Sequence, residues 1–291
     1  MQKRQIEANG IQLMLTEFSE QGEPMLLLHP GGILASFVWQ DIAPYFQKEY
    51  RVFAFDLRGH GESLAPRHGY SMDQQTSDIL AVLDELGIEQ AHLVGNSLGG
   101  DIATHFAAKH PERMLSLINI DSGIINYIGE NGEVSESKAE ILEKRANRKV
   151  PVYASPEDFV QQATADWAPL DPMSAAIIEH KILRPASEGG LTYVQLPEVG
   201  VQVMDMVCDM RFETCYPQIT CPVLFMPAAK EDNFDTKLLL IEGHAKHLSC
   251  SKTVVIPEST HIPLFDQSQE YAEAIQQFLT EVKAAQKNLA Q

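Results

Sequence analysis

No run of apolar residues in this chain approaches the roughly 18 needed to span a bilayer. Behind the two basic residues of MQKRQIEANGIQ there is no apolar stretch of the kind a secretory signal carries, and a cytoplasmic protein is expected. Cysteine is scarce. The four present (Cys208, Cys215, Cys221 and Cys250) form no C-x-x-C pair and lack metal-ligand spacing, so free thiols in a reducing compartment are the expectation and no metal site is. Positive charge is also in short supply. With 22 basic against 40 acidic residues the net charge is −18, which argues against nucleic acid or an anionic membrane as partner, because both are polyanions. Internal repeats and low-complexity linkers are missing as well. What remains is a 291-residue chain, 44% hydrophobic, long enough for one large domain or a domain with an insertion.

The stretch that organises the rest is AHLVGNSLGG, residues 91–100. A short apolar strand runs into Gly95-Asn96-Ser97-Leu98-Gly99, the G-x-S-x-G pattern of a sharp strand-to-helix turn that holds a serine on a strained corner. Side chains at either flanking glycine would block that turn. Ser97 is therefore the first candidate nucleophile.

Around it the chain alternates. Two β-type runs about Asn9-Gly10 predict a hairpin with a type I′ turn. Met25 to Leu28 is a continuous apolar run, the pattern of a strand buried on both faces. A helix over 36–48, a strand over 51–55, a helix opened by the capping residue Ser71 and stopped by Gly87, the Ser97 strand, a helix to about Lys109 and a strand over 114–120 follow. Such alternation means a mainly parallel sheet with helices on both faces. From Ser122 to about Tyr216 the rhythm breaks into helical starts at Ser155-Pro156 and Asp171-Pro172 and a charged stretch over 137–149, without buried strands. An inserted helical cap over 123–215 is the expectation, with 1–122 and 216–291 as the core. Strands over 222–226 and 252–256, with helices over 236–248 and 269–287, complete the core.

LLLHPGG (26–32), FDLRGHGES (55–63), VGNSLGG (94–100), CPVLFMPAAKED (221–232) and STHIPLF (259–265) resemble, in order, the segments of the α/β-hydrolase fold family, in its serine-nucleophile branch with an inserted cap. The resemblance implies an eight-stranded, mainly parallel sheet and a chain order of nucleophile, acid, histidine. A serine hydroxyl is a poor nucleophile near neutral pH and needs an oriented base within hydrogen-bond reach. His261, in the loop after the last strand, is that base by resemblance. For the acid, counting from Cys221-Pro222 lands on Glu231, whereas aligning the downstream loop lands on Asp232. Asp232 is preferred, with Glu231 as the alternative acid; Asp121, after the strand that follows the elbow helix, is a third candidate read as a loop-capping aspartate.

The family's oxyanion donors map to the backbone N–H of Leu98 and, by position, to that of Gly31, with Gly32 as fallback. Here the chain departs from the family's His-Gly: Pro30 follows His29 and has no N–H to give. His29 is read as shaping the loop, and Asp56, Arg58 and His60 as building loop architecture. Trp167, Met173, Met204, Met206 and Met210 are candidates for a pocket under the cap.

The resemblance implies hydrolysis of a small apolar ester or related acyl compound through an acyl-enzyme on Ser97, without cofactor or metal. A serine nucleophile argues against the dehalogenases and epoxide hydrolases of this fold, whose nucleophile is an aspartate. Two alternatives stay open: a carbon–carbon bond hydrolase, for which Arg184 and Arg211 are candidate carboxylate ligands, and a non-catalytic receptor for a small ligand. The partner expected is a small-molecule substrate, and the oligomeric state, a homo-oligomer included, is not read from the sequence.

Overall fold

Strand β3 (Glu23–Leu28) shows why the middle of the molecule is apolar on both sides. Successive side chains of a strand point to opposite faces. Leu26 and Leu28 pack into one core with Ile79, Leu83, Ile102 and Phe106, whereas Met25 and Leu27 pack into a second with Trp39, Phe46, Tyr271 and Phe278. A continuous apolar run is thus what a strand between two helical layers requires.

The computed structural model describes residues 1–32, 34–130, 132–163, 183–187, 189–193, 197–265 and 267–289. Eight strands form one sheet in the order β1-β2-β4-β3-β5-β6-β9-β10. Strands β1 (Gln2–Ala8) and β2 (Ile11–Glu17) form the expected hairpin, with Asn9 and Gly10 both at positive φ (52° and 73°). β2 also pairs antiparallel with β4 (Tyr50–Phe55); every other neighbour, from β4 through β3, β5 (Ala91–Asn96), β6 (Met114–Ile120) and β9 (Val223–Met226) to β10 (Ser251–Thr253), is parallel. Helices α1 (Met72–Glu85) and α2 (Leu98–Lys109) contribute to the first core, and the final helix, α7 (Ser268–Leu289), to the second.

The local signals acted as their chemistry requires. The Ser71 side chain accepts the Gln74 N–H at the start of α1, and Gly87, at φ +65°, ends the turn beyond it. Two expectations need correction. The stretch 36–48 is not an α-helix but two 3₁₀ turns, Ser36–Trp39 and Ala43–Tyr45, because Pro44 has no N–H to donate within a continuing helix. The last strand is also shorter than expected, pairing only over Ser251–Thr253.

Between β6 and β9 none of the described residues joins the main sheet. The chain there carries α3 (Lys138–Ala146), closed at its start by a Ser137/Glu140 capping box, α4 (Pro156–Ala163) and α5 (Pro197–Cys208). This segment is not wholly helical: β7 (Leu183–Pro185) and β8 (Leu191–Tyr193) form a small antiparallel hairpin, and Tyr153 bridges to Leu191. Three-residue strands leave no periodicity to read. The helix start at Asp171-Pro172 lies outside the described residues. α6 (Phe234–Ala245) follows β9. No helix among the described residues is long and apolar enough to cross a membrane.

Candidate active site

The parallel strands β3, β5, β6 and β9 all end on the same edge of the sheet, where open α/β sheets gather their ligand-binding loops. Ser97 caps β5 and opens α2 with φ 51° and ψ −129°, a left-handed conformation that costs about 1–3 kcal/mol for a residue with a side chain. The turn is held by close packing. A Cβ at Gly95 would run into the backbone of Gly100, and one at Gly99 into the carbonyl of Leu28. Both glycines are therefore steric necessities of the elbow.

His261 reaches this corner from the loop after β10. Its Nε2 lies 2.9 Å from Ser97 Oγ and its Nδ1 lies 2.6 Å from Asp121 Oδ2. With an ionised carboxylate as acceptor at Nδ1, that nitrogen carries the proton, which leaves Nε2 to accept from the serine hydroxyl. The loop is tied down by a residue that sequence reasoning passed over. Asn96 donates from Nδ2 to the carbonyls of Ile120 and His261, at 2.8 and 3.0 Å, and so joins the elbow to the histidine loop.

The expected acid does not fill the position. Asp121, and not Asp232, is the carboxylate against His261. β6 lies between β5 and β9, so the residue that leaves its end emerges beside the elbow. There Asp121 adopts φ 44°, its Oδ1 accepts the Ala228 N–H at 2.8 Å, and Lys237 Nζ reaches both oxygens at 2.9 and 3.0 Å. Asp232 is exposed at the outer side of the loop before α6. Glu231 comes closer: its carboxylate lies within 4.8 Å of the Asp121 and His261 polar atoms, without hydrogen-bonding either. This is the one such group of metal-ligand side chains among the described residues, and the ammonium of Lys237 already occupies both Asp121 oxygens.

Electrostatics follow from that arrangement. Burial alone would raise the pKa of Asp121, but the His261 hydrogen bond and the Lys237 charge outweigh it and hold the carboxyl below its usual range. For His261, burial favours the neutral ring, yet the hydrogen bond and charge of Asp121 prevail and raise its pKa above 6.5. Asp101, in the first turn of α2, accepts the Gly123 N–H at 2.7 Å, and burial pushes its carboxyl up to about 7.

Leu98 is the first residue of α2, where a backbone N–H has no partner within the helix. Gly31 packs against it, so closely that a Cβ there would sit 3.0 Å from Leu98 Cδ2. Both line the cavity beside Ser97. His29 shapes this loop: its Nε2 accepts the Leu57 N–H at 2.9 Å, its Nδ1 donates to the Pro30 carbonyl at 2.6 Å, and burial lowers its pKa to about 4. Asp56 likewise binds Ser36 and the Glu62 N–H, and Arg58 pairs with the buried Asp78.

A cavity of about 830 Å³ opens over Ser97 and His261. Its apolar lining includes Ile124, Val203, Met204, Val207, Met210 and Phe212. Arg145, Arg148 and Lys149, from the end of α3 and the residues after it, line it as well. Met206 packs in the core instead, and Trp167 and Met173 lie outside the described residues. Arg211 binds the carbonyls of Cys208 and Met210, and neither it nor Arg184 is among the residues that line the cavity.

Comparison with known proteins agrees with this architecture. A family model described as alpha/beta hydrolase fold matches residues 24–156. The chain has the α/β-hydrolase fold. Among α/β-hydrolase-fold structures, that of E-2-(acetamidomethylene)succinate hydrolase superposes with a TM-score of 0.80, covering 96% of this chain and 98% of that one at 22% identity, a likeness of fold. Epoxide hydrolase 4 of Mus musculus is 38% identical over 118 residues, and this match covers 40% of the chain but only 33% of that protein. 3-Oxoadipate enol-lactonase 2 of Acinetobacter baylyi is 26% identical over 278 residues, 94% of this α/β-hydrolase chain and 95% of the lactonase.

Proposed function

We propose that the protein is a serine hydrolase of small esters or lactones, working through an acyl-enzyme on Ser97. The observation that carries this reading is the unbroken hydrogen-bonded chain from Ser97 Oγ through His261 to Asp121. In it His261 Nε2 takes the hydroxyl proton as Oγ attacks the carbonyl carbon, and Asp121 stabilises the imidazolium that forms. The N–H groups of Leu98 and Gly31 face the developing oxyanion, helped by the positive end of α2. The imidazolium then protonates the leaving alkoxide, and water, activated by the same ring, releases the acid and restores Ser97. Residues 123–215 act as the cap over this site.

A lactone falls within the substrate class because the relative matched along nearly its whole length is named an enol-lactonase. The apolar and basic side chains that line the cavity support a substrate with an apolar body and an anionic group, the latter facing Arg145, Arg148 and Lys149.

A fluorophosphonate probe tests the reading directly. Ser97 should be labelled in the wild type, not in Ser97→Ala, and much more slowly in His261→Ala. Labelling requires neutral His261, so its rate should rise with pH through a limb centred above 6.5, the direction in which Asp121 moves the ring. Folded wild-type protein that takes up no probe rules the serine-hydrolase reading out and favours a binding protein built on this fold.

A further inference from the structure

Lys237 is placed where a lysine is doubly disfavoured. It lies in the first turn of α6, at the positive end of the helix dipole, and its side chain is only 3% exposed. Desolvating an ammonium and setting it against a helix start both cost free energy, so a partner has to offset them. That partner is Asp121, whose side chain has no exposed surface and whose two oxygens Lys237 Nζ holds at 2.9 and 3.0 Å. Together with the Ala228 N–H on Oδ1 and His261 on Oδ2, Lys237 leaves the carboxylate one orientation.

The charges around His261 give this pair a second consequence. Asp121, Glu231, Glu133 and Asp101 all bear on the ring or its acid as carboxyl groups, and each negative charge favours the protonated imidazole. Lys237 is the cation set among them. Lys230, the other lysine lining this part of the cavity, is engaged with Glu258 at 2.9 Å. Without Lys237, the surrounding carboxylates would hold the proton on His261 to higher pH and make the ring a poorer acceptor for the Ser97 proton.

We propose that Lys237 is a positioning residue that acts through Asp121: its ammonium fixes the acid in the orientation His261 needs, and offsets the surrounding carboxylates so that the ring is free to accept a proton near neutral pH. This rests on the serine-hydrolase reading of the site. A purely structural lysine would change stability and leave the pH profile where it was.

The experiment follows the rate of fluorophosphonate labelling at Ser97 against pH in wild type, Lys237→Met and Lys237→Gln. The glutamine variant keeps an N–H donor for Asp121 and removes only the charge. Both variants should move the acid limb up by about one pH unit, with the high-pH rate falling more in Lys237→Met than in Lys237→Gln. Glu231→Gln, which removes a negative charge beside the ring, should move the limb down. A limb that stays at the wild-type pH, or moves down, in a Lys237 variant that is folded by circular dichroism and labels at Ser97 overturns the proposal. Titration of the His261 ring by NMR in the wild type gives a second reading that needs no variant: the ring should be neutral by about pH 9, and one still protonated there overturns it. Absence of labelling in the wild type counts against the hydrolase reading instead.

Discussion

At the scale of single residues, the assignment of the acid is the sharpest result. Counting along the chain pointed to the loop after β9, and that loop does deliver a carboxylate to the neighbourhood of His261, namely Glu231. Sequence spacing could not show which oxygen the ring donates to, because the choice is made by β6 lying between β5 and β9 and by a lysine more than a hundred positions away. The same holds for Asn96, whose side chain joins two loops 165 residues apart. Ser97 and His261 were legible because each sits in a local pattern, whereas Asp121 depends on contacts no local pattern records. Asp121→Asn should therefore lower kcat/KM by about a thousand-fold or more, as loss of the group that sets the histidine tautomer does elsewhere. Asp232→Asn, at an exposed position, should stay within about three-fold of wild type. Ester hydrolysis by the purified variants decides it, and a large loss in Asp232→Asn with little in Asp121→Asn returns the acid to the β9 loop.

Elements show why the core of this fold is readable and the inserted segment less so. β3 and β9 carry continuous apolar runs, and β5 and β6 are buried along nearly their whole length, because two helical layers cover them, and α1 and α2 begin and end at residues with a steric or capping role. In contrast β7 and β8 are three residues each and are defined by pairing with one another, which leaves no mark in composition. The elbow is the element with the least tolerance. Helix α2 approaches β3 so closely that a methyl group at Gly99 would meet the Leu28 carbonyl, and neither the strand nor the helix can retreat without disturbing the sheet. Gly99→Ala should cost at least about 2 kcal/mol of stability and, in the protein that still folds, slow labelling of Ser97. Urea unfolding and labelling of the same preparation measure both. An alanine variant as stable and as reactive as wild type would show that the turn is looser than its packing implies.

Across the whole molecule, the charge distribution runs against its own average. A chain of net charge −18 repels anions at long range, yet places Arg145, Arg148 and Lys149 in the lining of the cavity above Ser97. The repulsion from distant carboxylates fades over the roughly 8 Å Debye length of physiological salt, whereas a group bound inside the cavity lies within reach of these lining cations. The local cations therefore decide selectivity once a substrate has arrived. Between two p-nitrophenyl esters of matched length, the one whose acyl chain ends in a carboxylate should be turned over with the higher kcat/KM, by about ten-fold, equivalent to about 1.4 kcal/mol. Replacing both Arg148 and Lys149 by glutamine, at exposed positions where the fold has little at stake, should remove most of that preference and leave the neutral ester nearly unaffected. Added salt should narrow the gap in the wild type more than in the double variant. A wild-type enzyme that prefers the neutral ester at low salt would mean that the apolar lining alone selects the substrate, and that the cations at the end of α3 serve only the surface.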